Sequence, residues 1–202
     1  MNVPKNEKLV KVVFGGETNV GKTSIVERSI FNRFGSNTPT MGAAFAAKKI
    51  FHEDKSITLG LWDTAGQERF QSMSALYFRN ALICILVFDL TNRKSFEKIS
   101  MWKHLANDAT SEFEELDYNL PIFILVGNKN DMKPKIDKSL IDDFCKNHNI
   151  HHYIETSALN GNGINKLYEI IGEEACKLNL PIERKLAIHP LPPPDNYQCP
   201  CY

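Results

Sequence analysis

The sequence has no excess of either charge. Lys and Arg total 24 and Asp and Glu total 24, a formal charge of zero. A nucleic-acid footprint needs a clustered basic excess, so the balance argues against one. Long apolar runs are missing too. The longest, Ala81 to Phe88, is far shorter than the roughly 20 residues of a membrane-spanning helix. Met1 to Lys11 carries Lys5, Glu7 and Lys8 and lacks the apolar stretch of a secretory signal. The expectation is a cytosolic chain, unless a lipid anchors it. Cysteine is sparse and odd in number, five in all, which does not suggest a disulfide framework. Cys84 falls in an apolar run and Cys145 and Cys176 in helical patterns, so these three are expected as buried free thiols. Proline is scarce before residue 181, because six of the ten prolines lie at 181, 190, 192, 193, 194 and 200. Residues 1–180 therefore read as one domain with room for a full core, and 181–202 as an extended, unpacked tail.

What is present is an alternation of strand and helix. Lys11 to Phe14 reads as a strand and Ser24 to Ile30 as a helix. Phe45 to Phe51 and Ile57 to Trp62 read as a hairpin with a charged turn. Gln67 to Arg79 is a weak helix, and Ala81 to Phe88 is apolar throughout, as a strand covered on both faces should be. Ser95 to Ala109 follows as a helix, Pro121 to Val126 as a second buried strand, and Asp137 to Asn147 as a helix. Tyr153 to Glu155 is a short strand, and Ile164 to Leu178 a helix with a regular apolar stripe. Such alternation predicts an α/β fold with a mostly parallel sheet, which places ligands beyond the carboxyl ends of the strands.

The chemistry begins between the first strand and helix. Gly16-Glu17-Thr18-Asn19-Val20-Gly21-Lys22-Thr23 fits the phosphate-loop pattern G-x-x-x-x-G-K-[ST]. Gly16 and Gly21 let the backbone bend where side chains would collide with a triphosphate. The N–H groups from Asn19 to Thr23 can then turn to phosphate oxygens, helped by the positive end of the helix that Ser24 continues. Lys22 offers an ammonium to the β- and γ-phosphates, and the Thr23 hydroxyl can take a Mg²⁺ position.

Two later motifs narrow the ligand. In Asp63-Thr64-Ala65-Gly66-Gln67, Asp63 can hold Mg²⁺ from a second strand end, Gly66 can present its N–H to a γ-phosphate, and Gln67 can hold an attacking water. In Asn128-Lys129-Asn130-Asp131, the Asp131 carboxylate can accept hydrogen bonds from guanine N1–H and its 2-amino group. Adenine offers no such pair, a mismatch worth about 10⁴-fold or more. Asn128 would brace neighbouring loops, and the Lys129 stem would lie along the base. Thr156-Ser157-Ala158 can offer backbone N–H groups to guanine O6. Alone, a D-x-x-G is as readily a turn, and an N-K-x-D is more readily a solvated loop. Their order, each at a strand end, favours one site.

On these motifs the chain resembles the Ras superfamily of small GTPases, and within it the Rab family. The likeness covers about residues 8 to 180 and is carried further by Met41 to Phe45, Leu61 to Phe70, Tyr77 to Ala81 and Val87 to Thr91. Gly42-Ala43-Ala44-Phe45 is similar to the early-endosomal branch. The resemblance implies a small G-domain with a six-stranded sheet flanked by helices on both faces, acting as a monomer. It implies that Thr40 completes the Mg²⁺ shell when the γ-phosphate is present, that Phe34 packs on the guanine edge, and that Phe45, Trp62 and Tyr77 meet effectors. For that trio, ordinary core packing is the competing reading. The implied partners are GTP and GDP, an exchange factor, an activating protein, effectors and a GDP-dissociation inhibitor or escort protein.

The implied reaction is slow hydrolysis of GTP, because Arg28 and Arg33 read as solvated helix-end charges and no arginine is assigned to the site. An activating protein's arginine would raise the rate about 10³- to 10⁵-fold. Departures from the family bear on this. Thr18 and Asn19 stand where small residues are usual, and the bulk of Thr18 would slow hydrolysis further. The 34–40 segment is one residue short, and Leu159 replaces a common lysine as an apolar wall for the base. Rabs end in paired cysteines carrying geranylgeranyl chains, and Cys199 and Cys201 match, followed by Tyr202. With Arg184 and Lys185 the tail's only firm cations, membrane hold must come mainly from lipid, and two such chains are needed for stable attachment. The competing classes are a GTP-binding scaffold that does not cycle, a small GTPase of another branch, and a phosphate-loop kinase or ATPase, which Asp131 disfavours.

Overall fold

The computed structural model describes residues 8–35, 39–53, 55–66, 71–111 and 121–178. Six strands form one sheet in the order β2-β3-β1-β4-β5-β6. They are β1 (Lys8–Gly15), β2 (Ala43–His52), β3 (Lys55–Thr64), β4 (Ile83–Asp89), β5 (Ile122–Asn128) and β6 (His152–Thr156). All neighbours run parallel except β2 and β3, the predicted hairpin, which closes at His52↔Lys55.

Alternation along the buried strands divides the core in two. Val10, Val12 and Phe14 of β1 and Ile83, Ile85 and Val87 of β4 face α1 (Lys22–Phe31) and α6 (Ile164–Lys177). Val13, Cys84, Leu86 and Phe88 face the opposite layer of α2 (Gln71–Phe78), α3 (Arg93–Glu97), α4 (Ile99–Ser111) and α5 (Lys138–Asn147). The continuous apolar run of β4 thus reflects cover on both faces. Edge strand β2 alternates half-buried and exposed residues, and Lys48 and Lys49 stand on it as charges that discourage pairing with another sheet.

The helix expected over Ser95 to Ala109 is two. Asn92 caps the first, its Oδ1 accepting from the Lys94 N–H at 3.1 Å, and the ladder slackens at Lys98 before Ile99 resumes it. The weak helix of Gln67 to Arg79 is described only from Gln71 to Phe78. Cys84 is buried as expected, whereas Cys145 and Cys176 are only half-buried, on helix flanks. No helix among the described residues is long and apolar enough to cross a membrane.

Candidate functional site

The loops that follow β1, β3, β5 and β6 meet at the carboxyl edge of the sheet around a cleft of about 420 Å³, the size of an ordinary small-ligand pocket. The phosphate loop and the start of α1 contribute Thr18, Asn19, Gly21, Lys22, Thr23 and Ser24. Phe34, Pro39 and Thr40 come from the segment before β2, and Thr64 and Gly66 from the end of β3. The remaining wall is Asn128, Lys129, Asp131, Met132, Ala158 and Leu159. Gly16, Val20, Asp63 and Ser157 are buried behind that wall and hold residues that form it.

At one end, hard oxygen atoms converge. The Thr23 hydroxyl lies 2.9 Å from the Thr40 hydroxyl and donates to Asp63 Oδ2 at 2.6 Å, while Thr40 donates to the same oxygen at 3.3 Å. Asp63 Oδ1 is buried and has no hydrogen-bond partner among the described residues. Burial pushes the Asp63 carboxyl up, against the pull of the Thr23 hydrogen bond and the Lys22 charge. A buried acceptor beside two hydroxyls is a donor set that suits a small divalent cation of the Mg²⁺ type. Lys22 folds back over its own loop, donating to Gly16 O at 2.7 Å and Glu17 O at 2.9 Å. Burial lowers its pKa to about 8, opposed by Asp63 and Glu17.

Two glycines are dictated by close approach. Gly21 has φ +97°, and a Cβ there would stand 2.3 Å from Asn128 Nδ2. A Cβ on Gly66 would meet the Glu17 carbonyl carbon at 2.3 Å and the Thr18 nitrogen at 2.4 Å. The end of β3 therefore lies directly against the phosphate loop.

Asn128 knots three segments together at the other end. Its Nδ2 donates to Val20 O at 2.8 Å, and its Oδ1 accepts from Thr156 Oγ1 at 3.1 Å and the Ala158 N–H at 3.3 Å. Asp131 is aligned by the Ser157 hydroxyl, which donates to Oδ1 at 2.6 Å. Lys129 sends its ammonium to Asp89 Oδ2, 2.7 Å away. Asp89 is in turn held low in pKa by Lys129 and Thr91, whose bonds outweigh its desolvation.

Most residues singled out from the sequence converge here, with two corrections. The Ser157 N–H was expected to face guanine O6 but donates to Asn162 O at 2.9 Å, so Ser157 serves the site through its hydroxyl. Arg28 is not a solvated charge. Its Nε donates to Ala158 O at 2.8 Å and its Nη2 to Leu159 O at 2.6 Å. Arg33 does remain largely exposed, against the Phe31 ring and 4.0 Å from Glu27. No arginine among the described residues lines the cleft. Gln67, Cys199 and Cys201 lie outside the described residues.

The sequence reading missed Asp89, Thr64 and Met132. Asp89 stood in the Val87 to Thr91 motif with no role attached, and only the fold brings it to Lys129. Away from the cleft, Phe45, Trp62 and Tyr77 form a chain of ring contacts, with centroids 5.2 and 5.8 Å apart. Trp62 is 7% exposed, Phe45 54%, and Tyr77 half-buried, so the trio is part core and part surface. The Lys11 ammonium sits 5.1 Å over the Trp62 ring and donates to Arg79 O at 2.6 Å.

The Ras family model matches residues 11–177. The Ypt/Rab-type GTPase ypt7 of Schizosaccharomyces pombe is 38% identical over 179 residues, spanning 86% of this chain and 85% of that protein. The Ras-related protein Rab-7a of Paramecium octaurelia is 34% identical over 85% of this chain and 84% of its own. Drosophila melanogaster Rab7 is 32% identical over 89% and 86%. These names correct the early-endosomal likeness read from Gly42-Ala43-Ala44-Phe45, a stretch too short to outweigh identity spread over the whole domain. A phosphate loop, paired threonines beside a buried carboxylate and an aligned Asp131 thus coincide with similarity along nearly the full domain, and the chain belongs to the Ras family as a Rab-type small GTPase, which hydrolyses GTP.

Proposed function

We propose that this cleft binds GTP and GDP with Mg²⁺ and that the chain is a membrane switch of the Rab7/Ypt7 kind in vesicle trafficking. The observation that carries the reading is that one cleft holds a cation-type oxygen cluster at one end and a guanine-selective carboxylate at the other. Thr23, Thr40 and Asp63 would hold Mg²⁺, which when bound neutralises charge on the phosphates. The chain's own groups supply the rest. Lys22 needs only to leave two backbone carbonyls to reach the β- and γ-phosphates. Amides from Asn19 to Thr23 and the Gly66 N–H take phosphate oxygens, and Gln67 orients the attacking water. Asp131 selects guanine, Lys129 lies along the base with its ammonium held by Asp89, and Phe34 and Leu159 cover the base.

Because Arg28 is committed to three carbonyls and Arg33 stays outside the cleft, the transition-state arginine comes from an activating protein. Loss of the γ-phosphate frees Thr40 and Gly66, loosens the segments around 35–45 and 66–78, and dissolves the effector face of Phe45, Trp62 and Tyr77. An exchange factor reloads the monomeric G-domain of residues 1–180. Residues 181–202 form a linker whose Cys199 and Cys201 carry prenyl groups. Those groups attach the chain to the cytosolic face of late-endosomal membranes, and a GDP-dissociation inhibitor or escort protein extracts it.

Competition of GTP against ATP on the purified chain, with and without Mg²⁺, is the direct test. Guanine selectivity and metal dependence are expected, and equal binding of ATP would overturn the reading. Single-turnover hydrolysis is expected to be slow and faster in Thr18→Gly; an unchanged rate would remove the role given to Thr18. Mass spectrometry of membrane-bound protein should find Cys199 and Cys201 prenylated.

A further inference from the structure

Arg28 lies on α1, outside the cleft, yet its guanidinium bridges two parts of the molecule that flank the base end. Nε and Nη2 hold the consecutive carbonyls of Ala158 and Leu159 at 2.8 and 2.6 Å, and Nη1 holds the carbonyl of Asn32 at 3.0 Å. Asn32 is the left-handed cap of α1, two residues before Phe34, which lines the cleft. Gly161 folds over the Arg28 stem, its Cβ position 3.8 Å from Cδ. One planar fork therefore ties the 157–161 loop to the end of α1, through charge-assisted bonds that a lysine could not reproduce in the same plane.

The bonded carbonyls also decide where amides point. A peptide unit is planar and trans, so its C=O and N–H are directed oppositely. Holding the Ala158 carbonyl on Arg28 turns the Leu159 N–H away from Arg28, which is not a cleft residue, and toward the side where Ala158 and Leu159 form the wall. The amide before it, on Ala158, makes only a long 3.3 Å bond to Asn128 Oδ1, and the Ser157 amide is spent on Asn162. The donors left for an oxygen at the 6-position of a purine are thus the amides of Ala158 and Leu159, and Arg28 sets the orientation of the second.

We propose that Arg28 is a positioning residue for the guanine 6-oxo group: its fork latches the 157–161 loop to α1, aims the loop amides at O6, and thereby sets how long the nucleotide stays bound. The inference rests on the guanine-nucleotide reading and adds a residue to it that no motif contains. Arg28 touches neither phosphates nor the reacting atoms, so it acts on residence and not on hydrolysis.

The test uses the full chain loaded with fluorescent GDP, with 6-thio-GDP, which keeps both contacts to Asp131 and weakens only the acceptor at position 6, and with IDP, which lacks the 2-amino group. Arg28→Ala is expected to release GDP about tenfold faster, the equivalent of about 1.4 kcal/mol, as loss of charged hydrogen bonds predicts. Arg28→Lys should fall between, and it carries the test if the alanine variant does not fold. In both variants the ratio of 6-thio-GDP to GDP release rates should shrink toward one, while the ratio of IDP to GDP stays at the wild-type value. Single-turnover hydrolysis of preloaded GTP should change less than about twofold, within the spread of residues outside a reacting centre. Wild-type release of GDP, or an unchanged 6-thio ratio, would overturn the proposal. Failure of the wild-type chain to retain GDP at all would instead sink the nucleotide reading beneath it.

Discussion

Asp131 shows what one side chain contributes when its partners are in place. The Ser157 hydroxyl at 2.6 Å holds one carboxylate oxygen, which fixes the plane of the carboxylate that the proposed guanine contact would use. Asp131→Asn replaces an acceptor by a donor, so GTP affinity is expected to fall about 10³-fold or more, while xanthosine triphosphate, with an acceptor at position 2, should gain. Competition binding with the two triphosphates checks it. A different electrostatic situation surrounds Lys11. Burial lowers its pKa to about 8 from an ordinary 10.5, so between those values the folded chain binds fewer protons than the unfolded one. The sign of linkage is then positive: stability attributable to Lys11 rises as pH increases from 8 to 10.5, and is at its lowest below 8. Lys11→Met should remove that rise, seen as a smaller gain of Tm between pH 8 and 10 than the parent shows.

The ends of β1, β3, β5 and β6 each supply one segment of the cleft, and the first two are so close that backbone meets backbone. At Gly66 a Cβ would stand 2.3 Å from the Glu17 carbonyl carbon and 2.4 Å from the Thr18 nitrogen. In Gly66→Ala the obstacle is main chain and cannot swing aside, so the loop after β3 must stand off the phosphate loop. A displacement of this order is expected to lower single-turnover GTP hydrolysis about 10²-fold, with GDP binding largely kept. Rapid-quench hydrolysis and GDP titration on the same preparation separate the two effects. The break between α3 and α4 belongs to this scale as well. Helical periodicity from Ser95 to Ala109 was legible, but the slackened turn at Lys98 that divides it was not.

The two cores on opposite faces of one sheet make the site depend on the whole molecule. Trp102, on α4 and fully buried against the sheet, also donates its indole N–H to Glu17 in the phosphate loop at 3.3 Å. Trp102→Ala should cost about 3–5 kcal/mol and lower Tm by about 10 °C, measurable by calorimetry of the GDP-bound chain. Ligand should act in the opposite direction. GDP with Mg²⁺ at about 100 times its Kd adds about 2.7 kcal/mol by mass action, and ADP should add nothing. A Tm rise equal for both nucleotides would contradict the guanine-selective cleft.

Spacing alone determined the alternation of strand and helix, the placement of each motif at a strand end, and which donor and acceptor groups Lys22, Thr23, Asp63 and Asp131 bring to the cleft, because these depend on residue type and local periodicity. Arg28, Asp89 and Trp102 were beyond its reach. Each acts on residues 130, 40 or 85 positions away, and long-range partners are chosen by the register of the sheet and the packing of helices upon it. The same holds for the division of Phe45, Trp62 and Tyr77 between core and surface. A pattern of side chains says which groups can bond, and only the folded backbone decides which of them face one another.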